Sequence, residues 1–250
     1  MKIYIEKDYN ALSKKAADII TDFVKKNSKC VLGLATGSTP QKTYDLLGKM
    51  YKTKKVSFKN IKTFNLDEYS GLATNNPQSY HYFMKQNFFD KTDVNIKNTF
   101  FPTDFAPNYK KYDKKIKDEG EIDLQILGIG SNGHIGFNEP NSNFFSKTRQ
   151  VKLSKNTIKD NARFFKNKKD VPIKAVTMGI NTIMRAKKII LLANGSNKKE
   201  AVFNALCKKV STKTPASILQ NHKDVIVILD KESAEKFTRL NNFAKSKIKI

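Results

Sequence analysis

The chain is 250 residues long and 39% hydrophobic, which suffices to fill a core in one large domain or two small ones. Its formal charge of +24 arises from 47 basic against 23 acidic residues, yet only Arg149, Arg163, Arg185 and Arg239 are arginine, the side chain best suited to forked contacts with phosphates and bases. The excess is therefore a coat of solvated lysine, which can draw in a phosphorylated metabolite over distance, and we expect no nucleic acid and no membrane among its partners.

Short β-branched runs alternate with longer amphipathic stretches along the chain, the pattern of a mainly parallel sheet with helices on both faces. Met1 to Glu6 reads as a strand and Tyr9 to Lys26 as a helix, with Leu12, Ala16, Ile19, Ile20 and Phe23 at helical spacing. Cys30 to Leu34 is a buried strand running into Ala35-Thr36-Gly37-Ser38-Thr39-Pro40, where Pro40 suits the first turn of the next helix with Thr39 as its cap. Ile61 to Leu66 is the third strand. Helices are predicted at Gln78 to Phe89 and Pro107 to Asp118, then a strand at Ile122 to Leu127. Further strands are predicted at Ala175 to Met178, Lys188 to Ala193 and Val225 to Leu229, with a helix at Asn197 to Leu206. Neither a Gly-, Ser- or Pro-rich linker nor a repeat is visible, so one domain over residues 1–250 is expected. The N-terminus lacks the apolar core of a signal peptide and no later run is long enough to span a membrane, which points to a cytoplasmic protein. Cys30 and Cys207 both sit in apolar surroundings and read as reduced residues.

The chemistry is concentrated just beyond strand ends, where open α/β sheets bind ligands. Leu127-Gly128-Ile129-Gly130-Ser131-Asn132-Gly133-His134-Ile135-Gly136-Phe137-Asn138-Glu139-Pro140 sets four glycines, an imidazole and a carboxylate in one loop after an apolar run. Glycine lets a polar ligand approach bare backbone, and Glu139 is close enough to orient His134 and favour its protonated form. No second His or Cys stands at zinc-ligand spacing from His134, and no Gly-x-Ser-x-Gly elbow is present. Thr36-Gly37-Ser38-Thr39 is a strand-to-helix turn with hydroxyls and free N–H groups, either a phosphate cradle or an ordinary capped turn. Asp67 and Glu68 close an apolar strand, where a carboxylate can be desolvated into a general base, or can simply cap a turn. Lys198 follows Gly195-Ser196-Asn197 at a helix start, and Arg163 precedes two aromatics, so either could meet an anionic group. His81 and His222 read as structural histidines.

Taken together, Leu32-Gly33-Leu34-Ala35-Thr36-Gly37-Ser38-Thr39-Pro40, Phe64-Asn65-Leu66-Asp67-Glu68-Tyr69 and the loop over residues 128–140 resemble the signatures of glucosamine-6-phosphate deaminases. The similarity runs from about Tyr9 to about Asp230, with further matches at Arg163-Phe164-Phe165 and Thr177-Met178-Gly179-Ile180. It implies a Rossmann-like α/β domain, no metal, no organic cofactor, and conversion of glucosamine 6-phosphate and water to fructose 6-phosphate and ammonia. Asp67 then matches the base that takes the C2 proton, and His134 the proton shuttle for ring opening, with Glu139 orienting it. Thr36, Gly37, Ser38, Thr39, Arg163 and Lys198 match phosphate-binding positions, and Gly128 offers backbone near the sugar. Asn132 stands where some members have aspartate, so a positioning role without charge is expected of it. The nearest alternative is a 6-phosphogluconolactonase-like hydrolase, whose loop resembles this one but usually lacks the Phe-Asn-Glu-Pro ending. A non-catalytic sugar-phosphate-binding regulator would have no need of Asp67 and His134 together.

The resemblance leaves both a monomer and a homo-oligomer open. Regulated members bind N-acetylglucosamine 6-phosphate at a subunit interface. Of the positions similar to that site, Ser142 and Arg149 are present, but Asn143 stands in place of a serine, Val151 replaces a lysine, and the Lys-rich end at Ile250 replaces a longer tail. Loss of activation is expected.

Overall fold

The apolar runs pair in a computed structural model that describes residues 1–247 apart from 163, 164, 166, 168 and 169. In chain order the strands are Lys2–Glu6 (β1), Val31–Leu34 (β2), Lys62–Asn65 (β3), Asp67–Tyr69 (β4), Thr99–Phe100 (β5), Leu124–Gly128 (β6), Arg149–Lys152 (β7), Lys174–Thr177 (β8), Lys188–Ala193 (β9) and Val225–Asp230 (β10). The helices are Tyr9–Lys26 (α1), Ser38–Lys52 (α2), Tyr80–Asn87 (α3), Lys110–Asp118 (α4), Lys155–Asn161 (α5), Ile180–Met184 (α6), Lys199–Cys207 (α7) and Lys231–Lys247 (α8).

A seven-stranded sheet has the order β1-β10-β9-β6-β2-β3-β5, and all its pairs are parallel. Its central strands are buried and largely apolar because both faces are covered, with Gln125 of β6 a buried polar exception. On β9, Ile190 and Leu192 face the layer that holds Leu12, Ala16, Ile20, Tyr44 and Leu47 of α1 and α2. The intervening Ile189, Leu191 and Ala193 face the opposite layer, which holds Tyr112, Ile116, Ala201, Val202 and Ala205 of α4 and α7. Burying one such Leu or Ile contributes roughly 1.5–3 kcal/mol. Helix α1 shows the local logic. Asp8 accepts from Ala11 N at 2.8 Å to cap its start, Leu12, Ala16, Ile20 and Val24 bury one stripe, and Lys25 and Lys26 lie at its C-terminal end.

From β2 the chain steps one way to β3 and β5, and from β6 the other way to β9 and β10, with β1 at the edge beyond β10. The carboxyl ends of β2 and β6 therefore flank a topological switch point, and a cleft opens there.

A second sheet, β4-β8-β7, is antiparallel, with Asp67 opposite Thr177 and Arg149 also opposite Thr177. It carries its own small core of Tyr69, Phe137, Leu153 and Ala175. This corrects two expectations. The run at Ala175 to Met178 belongs to this sheet and not to the parallel one, and Asp67-Glu68-Tyr69 is a strand in its own right. Three residues are too few to show a period. A third correction concerns Thr39: α2 starts at Ser38 after Gly37 (φ 105°), no side chain caps it, and Thr39 Oγ1 instead donates to Asn194 Oδ1 at 2.7 Å. Cys30 and Cys207 are free thiols.

The two sheets are locked where β8 runs into α6. A Cβ on Gly179 would fall 2.1 Å from Ser146 O and 2.2 Å from its carbonyl carbon, both backbone atoms with nowhere to go. Gly179→Ala should therefore lower stability by about 1–3 kcal/mol. Urea unfolding would read this as a lower midpoint with an unchanged slope, and an unchanged midpoint would refute the packing account.

Candidate active site

The switch-point cleft holds a cavity of about 480 Å³. Thr36, Gly37, Ser38 and Thr39 line it after β2, Gly128, Gly130 and His134 after β6, and Asn197 and Lys198 after β9. Asp67 and Tyr69 of β4, with Tyr80 and Phe83 of α3, complete the wall from the small-sheet side.

Asp67 enters the wall because Leu66 bridges the sheets: its N–H donates to Leu34 O at 2.9 Å and its carbonyl accepts from Met178 N at 2.7 Å. The next residue is then buried at the seam, 6% exposed, with Gly136 pressed against it. Gly136 has φ 55°, and a Cβ there would lie 2.8 Å from Thr177 Oγ1 and 3.3 Å from Asp67 Oδ2, so both conformation and space call for glycine. Burial, and secondarily the Glu68 charge, push the Asp67 carboxyl up to about 8. No donor among the described residues offsets this. A carboxyl poised there can take and return a proton near neutral pH.

His134 lies with its ring over Gly130, and Gly130 N donates to His134 O at 2.9 Å to close the loop. Its Nδ1 is 3.6 Å from Glu139 Oε2, an ion-pair separation and not a hydrogen bond. Asn132 fixes both partners, with Nδ2 donating to Glu139 Oε2 at 2.8 Å and Oδ1 accepting from His134 N at 3.2 Å. Thr157 Oγ1 donates to the other Glu139 oxygen. Burial opposes the charge on Glu139, but His134, Thr157 and Asn132 outweigh it and hold the carboxyl down at about 2. Glu139 is thus a permanent anion behind an imidazole.

A family model described as glucosamine-6-phosphate isomerases/6-phosphogluconolactonase matches residues 6–228. The chain belongs to that family. Among its relatives in the isomerase/lactonase family, a protein from Clostridium novyi named glucosamine-6-phosphate deaminase is 52% identical over 240 residues, covering 94% of this chain and all of that one. A solved structure of a monomeric glucosamine-6-phosphate deaminase superimposes with a TM-score of 0.91 at 44% identity, over 94% of this chain and 100% of that one. A 6-phosphogluconolactonase from Trypanosoma brucei reaches a TM-score of 0.73 at 20% identity over 94% and 97%, which is likeness of fold alone.

Of the residues singled out from sequence, Thr36, Gly37, Ser38, Thr39, Asp67, Gly128, His134 and Lys198 line this same cavity, while Asn132 and Glu139 stand behind His134. Arg163 lies outside the described residues. Sequence reasoning missed Thr157, which reaches Glu139 from α5 and is spaced from it by no motif. It also missed the part played by His81, which joins Glu68 to Asp104 behind Asp67. No cluster of three or more metal-ligating side chains occurs among the described residues, and no described helix is long and apolar enough to cross a membrane.

The burial of Asp67 has a sign that can be measured. The folded protein keeps its proton to about pH 8, the unfolded chain only to about pH 4. Its favourable contribution is therefore fully present below the unfolded value and lost as pH rises through the folded one. Asp67→Asn cannot ionise, so its Tm should gain on the wild type from about pH 5 to about pH 9. A Tm difference that stays flat over this range would contradict the burial of a charge.

Proposed function

We propose that the chain is a glucosamine-6-phosphate deaminase, converting glucosamine 6-phosphate and water to fructose 6-phosphate and ammonia. The reading is carried by one observation: a poised carboxyl and an imidazole backed by a fixed anion line the same cavity as a helix N-terminus with hydroxyls, in a chain half identical to proteins of that name. In this reading His134 moves a proton between the C1 hydroxyl and the ring oxygen, which opens the pyranose. Glu139 stabilises the imidazolium formed on the way, and Asn132 holds both in register. Asp67 takes the C2 proton and returns it to C1, turning the 2-amino aldose into a C2 imine. Water adds at C2 and ammonia leaves. Only protons and water move, so the chemistry asks for no redox cofactor and no metal.

The phosphate belongs at the start of α2, among Thr36, Gly37, Ser38 and Thr39, where free N–H groups and the helix dipole favour an anion. Lys198 and Arg163 would supply the cations, and Gly128 the bare backbone beside the sugar. Tethering of Thr39 to Asn194 joins the cradle to the loop that carries Lys198. A dianionic sugar does not cross membranes unaided, which supports a cytoplasmic enzyme.

The test is purified protein with glucosamine 6-phosphate, following fructose 6-phosphate and ammonia beside hydrolysis of 6-phosphogluconolactone. Deamination should dominate, and Asp67→Asn should lower kcat by about 100- to 10,000-fold while still binding substrate. Near-normal turnover in that variant would remove Asp67 as the base.

Regulation is expected to be absent. Asn143 Oδ1 accepts from Phe145 N at 2.8 Å within its own loop, and the Arg149 guanidinium donates to Asn138 Oδ1 at 2.9 Å, so both are committed to local structure. Val151 removes a cation from the surface that resembles an effector site. Substrate curves should be hyperbolic for a monomer or a homo-oligomer alike. A sigmoidal curve straightened by N-acetylglucosamine 6-phosphate would show that activation survives.

A further inference from the structure

On the opposite face of β4 from Asp67, the Glu68 carboxylate is 2% exposed and fully engaged. It accepts from the backbone N–H of Tyr69 at 2.7 Å, Tyr80 at 3.0 Å and His81 at 2.9 Å, so it caps the first turn of α3 from another strand. His81 Nδ1 reaches the same carboxylate at 2.8 Å, and its Nε2 reaches Asp104 Oδ1 at 3.1 Å. The ring is stacked on Phe101, at 3.6 Å between centroids and 21° between planes. An imidazole with a carboxylate at each nitrogen donates from both. Burial opposes its charge, but Asp104 and Glu68 prevail and carry His81 up to about 9.

None of the proton transfers assigned above uses this histidine. Its position gives it another task. Asp67 faces the Glu68 charge from its own strand, with Tyr80 of α3 and Tyr112 of α4 also near it, while Asp104 and Asp113 face Tyr112 and His81 reaches this group through Glu68. His134 with Glu139, Lys159 and Lys198 face it across the cavity. A bare carboxylate next to Asp67 would hold the proton on Asp67, since two adjacent buried negative charges repel. Among the described residues, His81 is the cation bonded to Glu68.

We propose that His81 is a positioning residue for the base: its cationic ring neutralises Glu68 and so lets the neighbouring Asp67 release its proton at the working pH. The proposal rests on the reading of Asp67 as general base. It makes Glu68, His81 and Asp104 a fixed charge relay built into the joint between the small sheet and α3, with no contact to substrate.

The experiment is the pH profile of kcat/KM on glucosamine 6-phosphate for wild type, His81→Gln and Glu68→Gln. Removing the cation should move the acid limb to higher pH by about half a unit or more, and removing the anion should move it to lower pH. A purely structural histidine would lower activity in both variants and leave the limb in place. The second readout needs no activity. The chain has 3 histidines, so the His81 imidazole can be followed by NMR titration. Its midpoint should fall by about half a unit or more in Glu68→Gln, because an anion bonded to the ring that favours the imidazolium is gone. This keeps the test open even if His81→Gln fails to fold. An unmoved limb in His81→Gln or an unmoved midpoint in Glu68→Gln overturns the proposal. Failure of the base assignment looks different: Asp67→Asn then turns over normally while the His81 midpoint still shifts in Glu68→Gln.

Discussion

The two main-chain hydrogen bonds of Leu66, one to β2 and one just beyond β8, fix the join between the sheets. They oblige the chain to leave the large sheet and start the small one within a single residue. A side chain at such a seam has backbone on both sides and almost no water, and here that side chain is a carboxyl. The raised proton affinity of Asp67 is thus first a consequence of strand topology, to which the neighbouring Glu68 charge adds. The cleft beside it follows from the same topology, because the parallel sheet reverses its winding between β2 and β6.

Burying an acid in this way works against folding at any pH where it ionises, so the surroundings must compensate. Two apolar layers flank the large sheet, and the small sheet adds a third cluster around Tyr69 and Phe137. The polar loops are tied down with equal care. The Asp230 carboxylate accepts from Gly195 N at 3.1 and 2.9 Å and from Ser233 N at 2.8 Å, which fixes the loop carrying Lys198 to the start of α8. Preorganisation of this kind lets a site on loops behave as though it were built on rigid elements.

Much of this was legible in the sequence, and the limits have physical causes. Strands such as β9 and β10 are apolar on both faces and stand out as continuous runs, and α1 announces itself by stripe and cap. The loop over residues 128–140 is conspicuous because glycine density, a histidine and a glutamate rarely coincide without a use. The small sheet was not legible as a sheet: β4 has three residues, and its partners lie about a hundred residues away, a pairing that no local pattern encodes. Nor was α8, whose polar sequence carries only a weak apolar stripe. Thr157 and His81 share a different cause. Each matters through one contact made in three dimensions, with Glu139 and with Glu68, and the residue type alone says nothing of it.

The three acidic side chains that matter most, Asp67, Glu68 and Glu139, differ less in type than in what surrounds them. Glu139 has Asn132, Thr157 and the imidazole against it and stays ionised down to about pH 2. Glu68 is met by three backbone N–H groups and a charged histidine, which suits it to anchoring. Asp67 has no donor among the described residues, and burial pushes it up to about 8, where it can change its charge near neutrality. In the proposed reading one carboxylate orients, one anchors and one reacts, and the division follows hydrogen-bond supply. The likeness of fold to a lactonase at 20% identity shows that the sheet and its cleft come without a fixed chemistry. Under the proposed function, what turns such a cleft towards moving a carbon-bound proton is a carboxyl without a donor among the described residues, in one cavity with an imidazole that has its own anion.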